Sequence, residues 1–350
     1  MVPMRILLFV LISSLALAQS KKAEEVFKNI THLKGTPADQ IMPSMQFIAA
    51  SLGVECSFCH VQGKMDADDI DHKKIARSMI AMTAELNKAN FGGKQTVTCF
   101  TCHQGMNHPN ALPPVEGPFA ARKAPAAAAV PAAQAKTADE ILGRYIAAMG
   151  GEEAIRKITS RVQKGDMEVG NTATPIEIVT LAPNKRISIS KAGSSDSITA
   201  FDGKSGWMGS TGRPAREMAA PESWAAGMDA EFYLGLRIKE LFGSAPIRVG
   251  RAAVKVNGFD CDAMTAMGGN GLPVRMYFDR ETGLLARIVR FTATAVGPNP
   301  TQIDYADYRE SGGVKIPFRW TLARPNGRFA VQVASVENNA KVDTSRFVKP

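Results

Sequence analysis

The sequence lacks an apolar run long enough to span a bilayer. The N-terminal run, Ile6 to Leu17, falls short of the roughly 18 to 20 residues a spanning helix needs. With 45% hydrophobic and 21% charged residues the composition is that of an ordinary globular protein, and neither a polytopic membrane protein nor a disordered chain is indicated. No cysteine stands directly after the run, so a lipid-anchored form is not supported. There is also no dense Lys/Arg tract with interleaved aromatics, although the formal net charge is +9. That basic balance reads as a solvated surface with a weak electrostatic docking preference, and no nucleic-acid partner is expected. Histidine and cysteine are scarce, five of each in 350 residues. All five histidines (His32, His60, His72, His103, His108) and four of the cysteines precede residue 113, which confines ligand-forming chemistry to the first part of the chain.

Arg5 ahead of the apolar run, and Ala16-Leu17-Ala18 at its end, form the pattern of a secretory signal over residues 1–18, cut after Ala18. The expected location is the periplasm, with association at the membrane surface left open, and no transmembrane span is expected after cleavage. The Pro- and Ala-rich stretch PPVEGPFAARKAPAAAAVPAAQ reads as a linker at 113–136. It separates a domain at 19–112 from a domain at 137–350. The expected fold class is α+β with two domains, a mainly helical one followed by an antiparallel β-rich one that begins with helices.

In the first domain, apolar spacings of three and four predict a helix starting around Pro37-Ala38-Asp39-Gln40 and running through Met42, Met45, Ile48 and Ala49 toward Leu52-Gly53. Ile75, Met79, Met82 and Leu86 predict a second helix over Asp69 to Asn87, ended by Gly92-Gly93. After the linker, Thr137 to Ile158 predicts two short helices broken at Gly150-Gly151. Beyond Val162, alternating segments such as Ile176–Leu181, Lys185–Ser190 and Val274–Phe291 predict a meander of antiparallel strands. Asp202-Gly203-Lys204, Asn257-Gly258 and Glu281-Thr282-Gly283 read as turns between strands. Cys261 is expected to be a buried, inert thiol on a strand, and no catalytic constellation is visible in this domain.

Two segments carry chemistry. Cys56-Ser57-Phe58-Cys59-His60 and Cys99-Phe100-Thr101-Cys102-His103 are two copies of the C-x-x-C-H haem attachment pattern. Two thiols three residues apart on a helical turn can reach the two vinyl groups on one edge of a haem. The following imidazole then projects over the ring centre, where a nitrogen can bind iron. A zinc site or a pair of disulfides also uses C-x-x-C, but neither requires a histidine directly after each pair. Two covalently bound c-type haems are the expected cofactors. Ahead of the motifs lie Met42-Pro43-Ser44-Met45 and Met79-Ile80-Ala81-Met82, each on a predicted helix. A thioether sulfur suits the sixth iron position and raises the potential relative to two imidazoles. Methionines at helical spacing also serve as plain core filling. His72 or His108 is the alternative ligand for the second iron, and both otherwise read as exposed loop histidines.

With these residues in view, Met42 to His60 (MPSMQFIAASLGVECSFCH), Ala76 to Asn87 (ARSMIAMTAELN) and Val97 to Gly105 (VTCFTCHQG) resemble the cytochrome c subunit of photosynthetic reaction centres, over roughly residues 24–112. The resemblance implies that each Met-ligated haem takes its methionine from the helix preceding its motif. By position the axial pairs are then Met45 with His60 and Met79 with His103, and Met42 and Met82 are the alternatives. It also implies an electron carrier, not an enzyme, with redox proteins as partners: a membrane-bound reaction centre, or a respiratory complex in a non-photosynthetic host. The chain departs from that family in having two motifs instead of four, no lipid-attachment cysteine and an added domain. The histidine that ligates one family haem has no counterpart between Asn87 and Thr98. In the second domain, Tyr145 to Ile158 (YIAAMGGEEAIRKI) and Asp307 to Trp320 (DYRESGGVKIPFRW) resemble periplasmic lipoprotein-carrier half-barrels, which implies a curved sheet holding a helix on its inner face. Two other readings stay open: a haem enzyme or sensor with an open iron site, and a lipid- or partner-binding protein acting through the second domain.

Overall fold

The computed structural model describes residues 21–109, 136–243, 246–325 and 327–350. The expected signal at 1–18 and nearly all of the 113–136 linker lie outside them. The described chain has a helical region followed by an antiparallel β-rich region, as the sequence pattern predicts.

The helical region contains α1 (Ala23–Val26), α2 (Ile41–Leu52), α3 (Asp71–Phe91) and α4 (Cys99–His103). A single 3-10 turn at Ala38–Gln40 leads into α2, which Gly53 stops in the left-handed conformation at φ 66°. Gly92, at φ 60°, stops α3. This helix runs past the predicted end at Asn87 as far as Gly92, the first glycine available to take the left-handed cap.

The β-rich region opens with α5 (Ala138–Ala148) and α6 (Glu152–Lys157), broken at Gly150-Gly151 as predicted. The strands that follow are β1 (Ser160–Val169), β2 (Thr172–Leu181), β3 (Lys185–Ala192), β4 (Ser195–Phe201), β5 (Gly206–Ser210) and β6 (Arg213–Glu217). Two helices then intervene, α7 (Ala220–Ala230) and α8 (Leu234–Leu241). The chain continues through β7 (Arg248–Val249), β8 (Val254–Val256), β9 (Phe259–Met267) and β10 (Pro273–Asp279). It ends with β11 (Leu285–Thr294), β12 (Gly297–Ser311), β13 (Val314–Arg324) and β14 (Gly327–Asn338). All strands join one sheet in the order β6-β5-β4-β3-β2-β1-β14-β13-β12-β11-β10-β9-β7, with β8 also paired to β9. Most neighbours are sequential hairpins. The exception that closes the chain on itself is β1 against β14, where Arg161 faces Asn338.

Helices cover one face of the sheet. Ile141, Leu142 and Tyr145 of α5 and Ile238 of α8 bury against Met264, Val274, Met276 and Phe278 of β9 and β10. The sequence pattern did not announce α7 and α8, whose short apolar stripes sit among Gly- and Pro-containing segments. The sheet selects them by offering a face to cover, and a buried Arg290 on β11 ties α7 down through Asp229 at 2.6 Å. The predicted turns occur where expected, between β4 and β5, β8 and β9, and β10 and β11. Cys261 is fully buried on β9, and burial pushes its thiol pKa up to about 11, with nearby Asp279 adding to the shift. It is inert at neutral pH.

One hairpin tip joins the two regions. Ala295 and Val296, between β11 and β12, pack against Ala23, Leu33 and Ile41 together with Met45 and Ile80. A Cβ added at Gly297 would lie 2.7 Å from the Phe47 ring of α2 and 3.2 Å from the Thr98 side chain, so the hairpin backbone approaches the helical region as closely as glycine permits. The Gln95 side chain donates to the Thr294 carbonyl at 3.0 Å.

Candidate cofactor sites

The first motif follows α2 directly. Cys56–Phe58 forms a 3-10 turn, and the His60 N–H donates to the Cys56 carbonyl at 3.0 Å. The second motif is α4 itself, opened by Thr98, whose N–H donates to the Thr101 hydroxyl at 3.0 Å, and closed by Gln104 at φ 49°. In the second motif both cysteines and the histidine therefore lie on one short helix, whereas in the first the helical turn covers Cys56–Phe58 and Cys59 and His60 follow it.

The two histidines are held by the same device. His60 Nδ1 lies 2.9 Å from the Met65 carbonyl, and His103 Nδ1 lies 2.9 Å from the Met106 carbonyl. A carbonyl can only accept, so each Nδ1 carries the proton. The lone pair then sits on Nε2, the tautomer and ring orientation a metal-ligating imidazole needs.

The predicted methionines occupy α2 and α3. Met42 is 60% exposed, whereas Met45 is half-buried against the Ala23–Leu33–Ile41 cluster. Met79 and Met82 remain 38% and 48% exposed. His72 lies in the first turn of α3, not in a loop. Its ring stacks on Phe58 with centroids 4.0 Å apart, and its Nδ1 meets the Phe58 carbonyl at 3.1 Å. His108 is exposed beyond α4.

Large apolar side chains left in water are concentrated here. Alongside Met42, Met79 and Met82, the side chains of Met65, Ile75, Phe91, Phe100 and Met106 are all exposed, and the buried positions of α3 are Lys73 and Asn87, neither of them apolar. A helix with an unburied apolar stripe needs a covering surface. The donor set of each motif, two thiols and an oriented imidazole beside exposed thioethers and aromatics, fits a flat apolar macrocycle with a central metal.

Three connections fix the two motifs relative to each other, and sequence reasoning did not find them. Asn87 spans from α3 to the approach of the second motif, donating to the Val97 carbonyl at 2.7 Å and accepting from the Thr96 and Val97 N–H groups. The Gly105 N–H donates to the Ser51 carbonyl at 2.9 Å, and a Cβ on Gly53 would lie 2.1 Å from the Gly105 carbonyl oxygen. Lys73 and Arg77 of α3 hold the loop after the first motif through Asp68, at 3.2 and 2.9 Å. The Arg77 side chain above all, then Asn29, keeps the Asp68 carboxyl well below the usual carboxylate range. Most of these partners are backbone groups, which carry no signature in the sequence.

Comparison with known proteins finds partial similarity over the first part of the chain. The family described as photosynthetic reaction centre cytochrome C subunit matches residues 11–161. The chain is 33% identical over 89 residues to the photosynthetic reaction center cytochrome c subunit of Thermochromatium tepidum, covering 24% of this chain and 22% of that protein. It is likewise 33% identical over 91 residues to cytochrome c-554 of Chloroflexus aurantiacus, covering 24% of this chain and 21% of that protein. The chain thus spans little more than a fifth of the length of either relative. Among solved structures, the fold is similar to a LolA superfamily protein from Nitrosomonas europaea, with TM-score 0.41 and 12% identity, covering 61% of this chain and 99% of that one. Among the described residues, no helix is long and apolar enough to cross a membrane.

Proposed function

We propose that this chain is an exported electron carrier whose helical region, 19–112, holds two covalent haems, one on Cys56 and Cys59 and one on Cys99 and Cys102. The observation that carries the reading is the repeated histidine device: His60 on the Met65 carbonyl and His103 on the Met106 carbonyl, each at 2.9 Å, each presenting Nε2 as the free donor. Bound haem supplies reversible one-electron exchange between ferric and ferrous iron. The residues do the rest. The thiols would anchor the group, the imidazoles would ligate its iron in a fixed orientation, and Met45 and Met79 would supply a thioether each, with Met42 and Met82 as the alternatives. Iron held by a histidine and a methionine would be closed to small molecules, which separates a carrier from an enzyme or sensor. The proposed partners are redox proteins outside the cytoplasm, at a reaction centre or a respiratory complex, met in the periplasm by weak electrostatic docking of the basic surface.

The test is spectroscopic. The oxidised full-length protein is expected to show a near-infrared sulfur-to-iron charge-transfer band, lost at one haem in Met45→Ala and at the other in Met79→Ala, each loss lowering that haem's potential. High-spin iron that binds carbon monoxide in the unaltered protein would sink the reading.

A second reading, ligand binding by the β-rich region at 137–350, has one supporting feature. A cavity of about 140 Å³ opens between α5 and the sheet, lined by Tyr145, Met149, Phe232, Leu234 and Tyr308. It is smaller than the roughly 300–1,000 Å³ of small-molecule sites, so it would hold a short apolar segment and not a whole lipid. Filling it by Gly235→Leu should then abolish uptake of a fluorescent fatty-acid probe by the full-length protein; equal uptake by both forms, or uptake by neither, counts against the reading.

A further inference from the structure

Lys73 is an unusual residue to bury. It sits on α3, its side chain 9% exposed, and its ammonium donates to two backbone carbonyls, Met65 at 2.9 Å and Ala67 at 2.7 Å, while pairing with Asp68 at 3.2 Å. The Met65 carbonyl is also the one that orients His60. One oxygen therefore accepts from an imidazole N–H and from a cation at the same time. At the second motif, among the described residues, the Met106 carbonyl accepts from the His103 ring and from no charged side chain. The sequence repeats the motif, but its surroundings are not repeated.

We infer that Lys73 is a positioning residue that makes the two motifs electronically unequal, raising the reduction potential at His60 relative to what His103 experiences. The inference rests on the haem reading above and deepens it. Two effects act with the same sign. An imidazole that donates strongly through Nδ1 gains basicity at Nε2 and favours the ferric state. A carbonyl already engaged by an ammonium is a weaker acceptor for that N–H, so the gain is reduced at His60. The positive charge also opposes the extra charge of ferric iron, and in a partly buried setting it is screened less than in water. Asp68 does not cancel it, because the same carboxylate also pairs with Arg77 at 2.9 Å, leaving two cations against one anion in the cluster.

The experiment is a redox titration of the full-length protein with both haems attached. The haem on the first motif is identified as the one whose sulfur band disappears in Met45→Ala. Lys73→Gln is expected to lower the potential of that haem by about tenfold in its reduction equilibrium, roughly 59 mV for one electron, and to leave the other unchanged. Lys73→Arg should restore the value. Asp68→Asn, which removes the shared counter-charge, should raise the same potential. A merely structural role for the cluster would not give shifts of opposite sign. Should Lys73→Gln fail to keep its haem, the sign of the Asp68→Asn shift still decides. Equal shifts at both haems, no shift at either, or a downward shift in Asp68→Asn overturns the inference. A parent protein without two haems, or without a sulfur band, overturns the haem reading instead.

Discussion

Replacing Cys56, Cys59, Cys99 and Cys102 together by alanine is expected to melt α3 and α4 while leaving the β-rich sheet intact. The reason lies in where apolar surface is buried. No apolar residue of α3 is buried, and Ile75, Met79, Met82 and Phe91 stand on it in water with Phe100 of α4 nearby in sequence. Fully burying such a side chain contributes about 1.5–3 kcal/mol, so covering side chains that are already half-buried contributes about 1 kcal/mol each. Summed over the exposed methionines, Ile75 and the two phenylalanines, the cover is on the order of 5–10 kcal/mol, comparable to the whole stability of a typical domain. In proteins most helical stability comes from tertiary packing of an apolar face and not from propensity. By contrast, α2 keeps Phe47 and Ile48 buried beside the β11–β12 hairpin. Hydrogen exchange read peptide by peptide should therefore show protection lost across 71–103 but retained in the strands and in much of α2. Full protection of α3 in the four-alanine chain would show that the helical region needs no cofactor to fold.

The second large effect is expected from Gly53→Ala. Its φ of 66° places an alanine in the left-handed region, at about 1–2 kcal/mol, and the new Cβ would overlap the Gly105 carbonyl oxygen at 2.1 Å. The oxygen is a backbone atom just after the second motif and the Cβ is bonded directly to the backbone just ahead of the first, so neither can yield by a rotamer change. The total should reach about 3–4 kcal/mol, the upper end of single-substitution effects, and the haem absorbance should melt at least about 10 °C lower. Gly105→Ala is the matched control. Its φ of 88° carries the same conformational penalty, but its Cβ would meet nothing within 4 Å. Equal destabilisation by the two substitutions would mean that the α2–α4 contact does not join the motifs.

Much of the fold was legible because it depends on local pattern. The spacing of Ile75, Met79 and Met82 gave α3, Gly53 and Gly92 gave helix ends, and alternation in Lys185–Ser190 and Val274–Phe291 gave strands that the sheet confirms. α7 and α8 were missed because their formation follows from the sheet face they cover. Of the candidate site, the cysteines and histidines stand out in the sequence, since the proposed haem attachment needs those side chains at that spacing. Lys73 could not. In sequence it is one of two adjacent lysines after Asp71-His72, and only the fold buries it against the Met65 and Ala67 carbonyls.

The sequence alone therefore determined the chemistry available at each motif and the succession of a helical and a strand-rich region, because both are set by side-chain type and by spacings of a few residues. The tertiary structure decided what surrounds that chemistry: the carbonyls that orient His60 and His103, the cation shared by one of them, and the hairpin tip at Ala295-Val296 that completes the small core beside Met45. Those are contacts of backbone groups and of residues some 250 positions apart, such as Phe47 and Gly297. No local pattern encodes them, because a carbonyl has the same chemistry at every position and gains a role only from what the fold brings to it.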